Sequence, residues 1–516
     1  MGDPFPAPGG GRRAHPEGRR DLRPGRARGD LQCMQKCEII LVGNFCHVMP
    51  HFGNIELVQG IVPTLTPELG RELGLSTASL NWISSVFLLS SVIWVPMLSK
   101  LGDLLGHRKM LRIAVVLLAI GSVLVAIAPN FVSLLIGRAL QGVLLSLLPL
   151  EMALVRNRLS QEKARGGIAV LLGALTLGFS FGYIAGGLLL DLTESAQQAL
   201  WVPAIATILC ILVPFVFVPE SVIETRPGMR MDWLGAALLT LGLGSVMLAL
   251  ALGPKRGWSD AIVLGLVIGG VVVLAVWWRV EMRRSQPLVA VRQLARPRVL
   301  VLYIGALLVG AASFGPLTAF ATFAATSPES GYGLGLNGTM LGLFLSALGV
   351  GVFLASVVAP PMVRWRGQRA VVAAGFVVGM VAFLTMLELQ STALGMAAMI
   401  GVVGFSEGLV VATLPIMILE RLPANEAGIS AGLYNMVRTL GGSVMGAIIA
   451  VVFAKATAHG ATWVSVVGYH TVWILCAAIS LVGAALLVVS ARIDASVSTE
   501  LPTTDTTAPA VQHKPA

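Results

Sequence analysis

The chain has 516 residues, 56% of them hydrophobic and 12% charged, about half the charged share of an ordinary soluble domain. The apolar residues arrive in blocks of about 20 separated by short charged loops, which excludes a large soluble core. The net charge of +10 gathers at the ends of those blocks, so anionic lipid and membrane topology explain it better than nucleic acid.

Residues 1–37 are rich in Gly, Pro and Arg without periodicity and read as a disordered arm. A start at Met34, just before the first span, is the other reading of this end. No cleavable signal peptide is visible, because the first apolar run begins near Ile39 and continues as a span. Apolar runs follow at about 39–66, 80–99, 111–128, 131–153, 167–190, 199–218, 233–253, 259–278, 299–323, 338–363, 370–388, 392–418, 427–453 and 468–490. These predict fourteen transmembrane helices, an even number that puts both termini on one side. Cations in alternate loops support the count. One side holds Lys100, Arg108, Lys109, Arg112, Arg156, Arg158, Lys163, Arg165, Arg226, Arg230, the run from Arg279 to Arg298, then Arg364, Arg366, Arg369 and Arg421. The other offers Arg71, Lys255, Arg256 and Lys455, so the richer side, with both termini, is cytoplasmic. Trp82, Trp201, Trp233, Trp258, Trp277 and Trp278 lie near span ends, as interfacial anchors do. The tail after Arg492 reads as disordered. The five cysteines fit neither a metal spacing nor a disulfide framework.

Between the second and third spans runs SKLGDLLGHRKML, Ser99 to Leu111. Gly102 and Gly106 permit a sharp reversal, and Asp103 is placed to pair with the surrounding cations or to face a helix N-terminus. Gly102, Asp103, Gly106, Arg108 and Lys109 in this order resemble the signature of the major facilitator superfamily. Span 4 carries LLIGRALQG with Arg138, which resembles that superfamily's fourth-span arginine motif, linked to proton coupling. The stretch Pro361 to Arg369 looks like a degenerate repeat of the first signature, with Gly367 standing where Gly106 does. Six spans, two more, then six again, together with Met231 to Trp258, resemble the fourteen-span drug:proton antiporters of the superfamily. The resemblance covers roughly Asn44 to Ser490.

It implies an all-α polytopic membrane protein with a six-helix bundle over 38–222, two inserted helices over 223–285, a second bundle over 286–492 and a tail over 493–516. It further implies a plasma-membrane exporter, functional as a monomer, that exchanges amphipathic or cationic small molecules for protons by alternating access. No enzyme activity, cofactor, metal or nucleic acid is expected. Uptake by symport, or a sensor or scaffold that transports nothing, are the competing readings. No P-loop GxxxxGK[ST] occurs, so an ion gradient must drive uphill transport.

Ionisable groups inside spans are functional candidates because each costs several kcal/mol there. Arg138 lies about 10 Å below the outer surface and Glu56 about 20 Å from the inner one, similar depths in a core of about 30 Å. They can pair; alternatively Arg138 holds backbone carbonyls. The family's span 1 carries an aspartate where this chain has Asn54, and Glu56 stands two residues on, about 200° around the helix. Glu56 is therefore a candidate proton carrier or simply faces a neighbour. His47 and His51 could join a relay but read better as packing residues. In the second half Glu407 (span 12) and Arg438 (span 13, NMVRTLGG) form an ion pair, a cation site or a second proton site. Phe314, Phe320 and Phe405 could line a cavity beside them. Glu151, near the inner end of span 4, can reach the interface.

Gly178, Gly182, Gly186 and Gly187 in GFSFGYIAGG make a flat packing ridge on span 5. The family's antiporter signature has proline after the second glycine; Tyr183 replaces it here. By the family's architecture the ridge should meet Gly342, Gly349 and Gly351. Gly178–Gly182 also matches a hydrolase elbow, and Gly333 to Gly338 a dinucleotide fingerprint, but neither has the strand context those chemistries need.

Overall fold

The computed structural model describes residues 57–158, 161–193, 195–216, 218, 230–422, 427–457 and 463–500. Its helices are α1 (57–72), α2 (Thr77–Leu105), α3 (His107–Ala126), α4 (Phe131–Gln141), α5 (Leu147–Arg158), α6 (Gln161–Leu192), α7 (Ala196–Cys210) and α8 (Leu212–Val216). Then come α9 (Trp233–Arg256), α10 (Ala261–Arg283), α11 (Val291–Leu294), α12 (Pro297–Phe314), α13 (Leu317–Ala325), α14 (Gly338–Arg366), α15 (Gln368–Leu389), α16 (Ala393–Leu419), α17 (Ala427–Ala456) and α18 (Val466–Glu500). Among the described residues the protein is all-helical, and twelve helices or broken helices are long and apolar enough to cross a membrane.

Local chemistry sets the helix starts. Asn130 and Ser133 form a reciprocal capping box at α4, and Ser195, Asp232 and Asp260 accept from amides of the first turns of α7, α9 and α10. Two helices are capped by side chains from elsewhere in the chain. Glu72 accepts from Ala196 N (2.5 Å) at α7, and Asp191, at the end of α6, accepts from Thr339 N (2.8 Å) at the start of α14. A carboxylate at a helix N-terminus also meets the favourable end of its dipole.

Glycine makes the α2–α3 reversal. Gly106 sits at φ +98°, closing α2 and opening α3, and Gly367 repeats this at φ +80° between α14 and α15. The degenerate repeat read from the sequence is thus a repeat of backbone geometry. Its aspartate is dispensable to the turn, since only glycine adopts this φ without strain.

Three spans are broken, one of them at Ile211 between α7 and α8. A short 3₁₀ segment, Gly142–Ser146, separates α4 from α5, and Gly315-Pro316 separates α12 from α13, where proline removes a helical donor. Residues of α1–α8 build two apolar cores, one around Ile61, Leu65 and Leu200 and one around Leu111, Leu118 and Leu147. Residues of α12–α18 build two larger ones, around Phe320 and Trp473 and around Leu302 and Leu414. The antiparallel pair α9–α10 packs on itself and feeds Ala236, Leu239, Leu243 and Trp277 into the core that contains Leu302. The two sets of helices meet chiefly along α2–α17 and α6–α14.

The glycine ridge of α6 does not all face α14. Gly182 and Gly186 abut Gly60 and Ile61 of α1, whereas Gly187 abuts Gly338 and Thr339. Tyr183 and Ser180 supply the rest of the α14 contact, against Gly342 and Gly349; Gly351 instead faces Gly401 and Phe405 of α16. Four-residue spacing drifts about 40° per step on a 3.6-residue helix, so one ridge divides between two neighbours. Gly178 is buried.

Candidate functional site

Glu407 and Arg438 lie in the middle of α16 and α17, and the structure brings them together. Arg438 Nη1 stands 4.0 Å from Glu407 Oε1, and the guanidinium lies over the Phe314 ring, 4.6 Å from its centroid. Ser313 is a hydrogen-bond partner of Glu407. The Tyr434 hydroxyl lies within reach of Arg438, and neither it nor Arg438 Nε makes a hydrogen bond of normal geometry among the described residues. Carboxylate, guanidinium, phenol and aromatic face thus converge at mid-helix. A buried ion pair this long, with unused donors beside it, leaves hydrogen-bonding capacity that a polar or charged ligand can take up. Gly310 makes the approach of α12 possible, because its Cα rests on the Arg438 carbonyl.

Of the aromatic candidates, Phe314 alone touches this pair. Phe320 is wholly buried in a stack with Phe383 and Trp473, and Phe405 packs in the small core between α14 and α16. Both are packing residues.

Arg138 is buried in α4. Its Nε donates to Ile83 O (3.1 Å) and its Nη1 to Gln141 Oε1 (2.7 Å), while Gln141 donates to Ser122 Oγ (3.1 Å). Phe87 lies under the guanidinium at 4.5 Å. This is the carbonyl-holding arrangement weighed from the sequence; Gln141 and Ser122, which the motif did not flag, complete it. Asn54 and Glu56 lie outside the described residues, as do His47 and His51. Glu151 is only 6% exposed, so it turns into the bundle rather than reaching the interface.

At the α2–α3 turn Asp103 Oδ1 lies 3.2 Å from His107 Nε2. Arg108 and Arg112 donate to the carbonyls of Pro214 and Phe215 at the end of α8, and Arg112 also covers the Phe215 ring. Gly102 leaves room for Leu150 and His107, and Lys109 is exposed. These cations tie α3 to α8. Among the tryptophans, Trp233 and Trp258 are exposed at helix ends, but Trp277 is 8% exposed and packs in the core. Neighbouring residues stand about 100° apart on a helix, so Trp278, 39% exposed, turns outward beside it.

Hydrogen bonds join the two sets of helices at both ends: Lys100 Nζ donates to Gln286 O and Pro287 O near Gly106, and four more contacts lie toward the Arg71 end. Arg71 donates to Ala325 O (3.4 Å), Ser84 and Thr318 share a bond of 3.0 Å, and Ser443 donates to Ser85 O (2.9 Å), with Asp191 on Thr339 nearby. At the opposite end a pocket of about 700 Å³ is lined by Arg366, Arg369, Glu420 and Arg421. It starts ten residues along α16 from Glu407, about 15 Å away. Among the described residues, no group of three or more His, Cys, Asp or Glu could hold a metal ion.

Paired helical repeats joined by matching glycine turns, with charged groups buried at mid-helix, define a polytopic membrane protein built for transport rather than catalysis. Residues 51–446 match the Major Facilitator Superfamily, and the chain belongs to that family of membrane transporters. Relatives include an uncharacterized MFS-type transporter of Mycobacterium tuberculosis, 26% identical over 81% of this chain. The chain spans 60% of that relative's length. Another is the major facilitator superfamily multidrug transporter mfsC of Aspergillus fumigatus, 24% identical over 82% of this chain and 81% of its own. Among solved structures the nucleoside transporter NupG superposes with a TM-score of 0.61 at 14% identity, covering 87% of this chain and 99% of that one. At that identity the likeness speaks to the fold alone.

Proposed function

We propose that this protein is a proton-coupled exporter of amphipathic or cationic small molecules. The Glu407–Arg438 pair, buried at mid-helix with its charges 4.0 Å apart and the Tyr434 hydroxyl beside it, carries the reading. Protonation of Glu407, or of Glu56 in the first span, releases substrate on the outer side; deprotonation inside restores the site. Arg138 positions the first set of helices, and Arg438 competes with a cationic substrate for the carboxylate. A membrane potential of 100 mV supplies about 2.3 kcal/mol per proton, roughly fiftyfold accumulation. The multidrug relative supports the substrate class.

The proposed architecture is fourteen helices as 6+2+6: bundles over 38–222 and 286–492, with α9–α10 as the inserted pair over 223–285. Helices α1 and α6, described only in part, would complete the count beyond the twelve. The molecule works as a monomer in the cell membrane with both termini cytoplasmic, the Arg71 end facing out. The contacts at that end then form the closed outer gate.

The test is purified protein in liposomes with an internal pH-sensitive dye and an imposed pH gradient, challenged with cationic drugs one at a time. Drug-dependent proton flux in the wild type and its loss in Glu407→Gln are expected. Flux unchanged in that variant would remove Glu407 from the coupling role, and no flux with any drug would remove the antiport reading.

A further inference from the structure

The turn at Gly367 repeats the backbone of the turn at Gly106 but not its charges. Arg364 stands where the first turn has Asp103, so the stretch Pro361 to Arg369 carries three arginines and no acid. In the first turn Arg108 and Arg112 are engaged by the carbonyls of Pro214 and Phe215. In the second, Arg366 and Arg369, the latter at the position equivalent to Arg108, line the pocket of about 700 Å³. Arg421, just past the end of α16, lines it too. The one acid of the pocket, Glu420, accepts from Gln368 Nε2 at 2.8 Å. Three arginines against one glutamate leave a surplus of two positive charges in this cavity. Like charges around one cavity repel, and an anion seated among them relieves that repulsion while accepting charge-assisted hydrogen bonds from the guanidinium forks. The volume falls within the roughly 300–1,000 Å³ of pockets that hold small organic ligands.

The apolar surface beside the pocket narrows the choice of anion. Val350, Leu354, Val357, Pro361 and Trp365 recur at three- and four-residue steps, which puts them on one face of α14, and all five are exposed. In a membrane that face meets acyl chains, and it ends at the pocket. Trp365 is 74% exposed, and the Arg366 guanidinium lies over its ring at 4.0 Å. A tryptophan at the end of an apolar stripe sits at the level of the lipid headgroups, and here it holds a pocket-lining arginine at the same level. Val363 and Met417 add apolar lining inside the pocket. A molecule with an anionic head and apolar chains is complementary to both the arginines and the stripe, whereas a small soluble anion meets the arginines alone.

We propose that the pocket between the Gly367 turn and the end of α16 binds a phosphate group, received by Arg366, Arg369 and Arg421, and that an anionic phospholipid of the adjoining leaflet supplies it. On the topology proposed above, that leaflet is the cytoplasmic one. Such a site is independent of the transported substrate and of proton coupling, and it lies about 15 Å from Glu407 along α16.

The experiment uses the full-length protein in a neutral detergent. Phosphatidylglycerol, phosphatidylcholine or inorganic phosphate is titrated in, native mass spectrometry counts bound lipid, and thermal unfolding reports stabilisation. Phosphatidylglycerol should bind more tightly than phosphatidylcholine, whose own cation cancels the phosphate charge. Arg366→Gln and Arg369→Gln should each weaken phosphatidylglycerol binding about tenfold, the loss expected for one hydrogen bond between charged groups. Arg283→Gln removes an exposed cation at the same end but outside the pocket, and should leave binding unchanged. An equal loss in Arg283→Gln, or none in the pocket variants, overturns the site, because the attraction then belongs to the basic surface at large. Stabilisation by inorganic phosphate that is lost in the pocket variants, without a preference for phosphatidylglycerol, keeps the phosphate site and overturns the lipid as its source. No effect of either lipid or phosphate overturns both. Arg366 is exposed, so Arg366→Gln provides the test should Arg369→Gln not fold.

Discussion

Replacing Glu407 with glutamine reproduces, without protonation, the change that coupling requires: the negative charge disappears and the shape remains. Two unit charges 4.0 Å apart attract by about 4 kcal/mol at an effective dielectric constant of 20. Removing one member of a buried pair strands the other, at a cost of about 3–5 kcal/mol. Arg438 keeps some access to water, its side chain being 17% exposed, so the low end, about 3 kcal/mol, is expected for Glu407→Gln. Arg438→Met should cost a similar amount by stranding the carboxylate. The double variant should be far less destabilised than the sum, because a methionine side chain beside a neutral amide leaves no uncompensated charge. Thermal unfolding of the four proteins in one detergent measures the coupling energy. A value below about 1 kcal/mol would refute the reasoning, showing that the pair is solvated and holds no energy for protonation to release.

Further outcomes follow from single atoms. Gly310→Ala puts a methyl onto the Arg438 carbonyl and should destabilise by about 1–3 kcal/mol, while Gly244→Ala in α9 meets nothing within 4 Å and should gain up to about 1 kcal/mol; melting temperatures compare the two. Arg138→Lys keeps the charge but cannot serve Ile83 O and Gln141 Oε1 with a planar fork, so its melting temperature should fall nearly as far as that of Arg138→Met. Gly106→Ala forces a side chain to φ +98° and should lose about 1 kcal/mol or more, with Gly367→Ala showing a similar loss at φ +80°.

What could be read from the residues was whatever repeats with the period of a helix or marks its ends. Apolar runs, the glycine at position 106 and its echo at 367 each act within a few residues of themselves. Local sequence therefore carries them. The pairing of Glu407 with Arg438 was also foreseeable, because unpaired charges at mid-span are too costly to be left apart. Partners on other helices were not. Gln141 joined Arg138, Trp277 turned inward while Trp278 stayed out, and the α6 ridge divided between α1 and α14, each decided by the rotation of one helix against its neighbours.

Lys100 marks the boundary most sharply. In the chain it is one more cation in a basic turn. The sequence by itself determined that the chain is helical with many membrane spans, where the Gly106 and Gly367 turns fall and that charges are buried. Only the tertiary structure decided which charges meet, because contacts across 180 residues depend on helix rotation and depth, and hydropathy is blind to both.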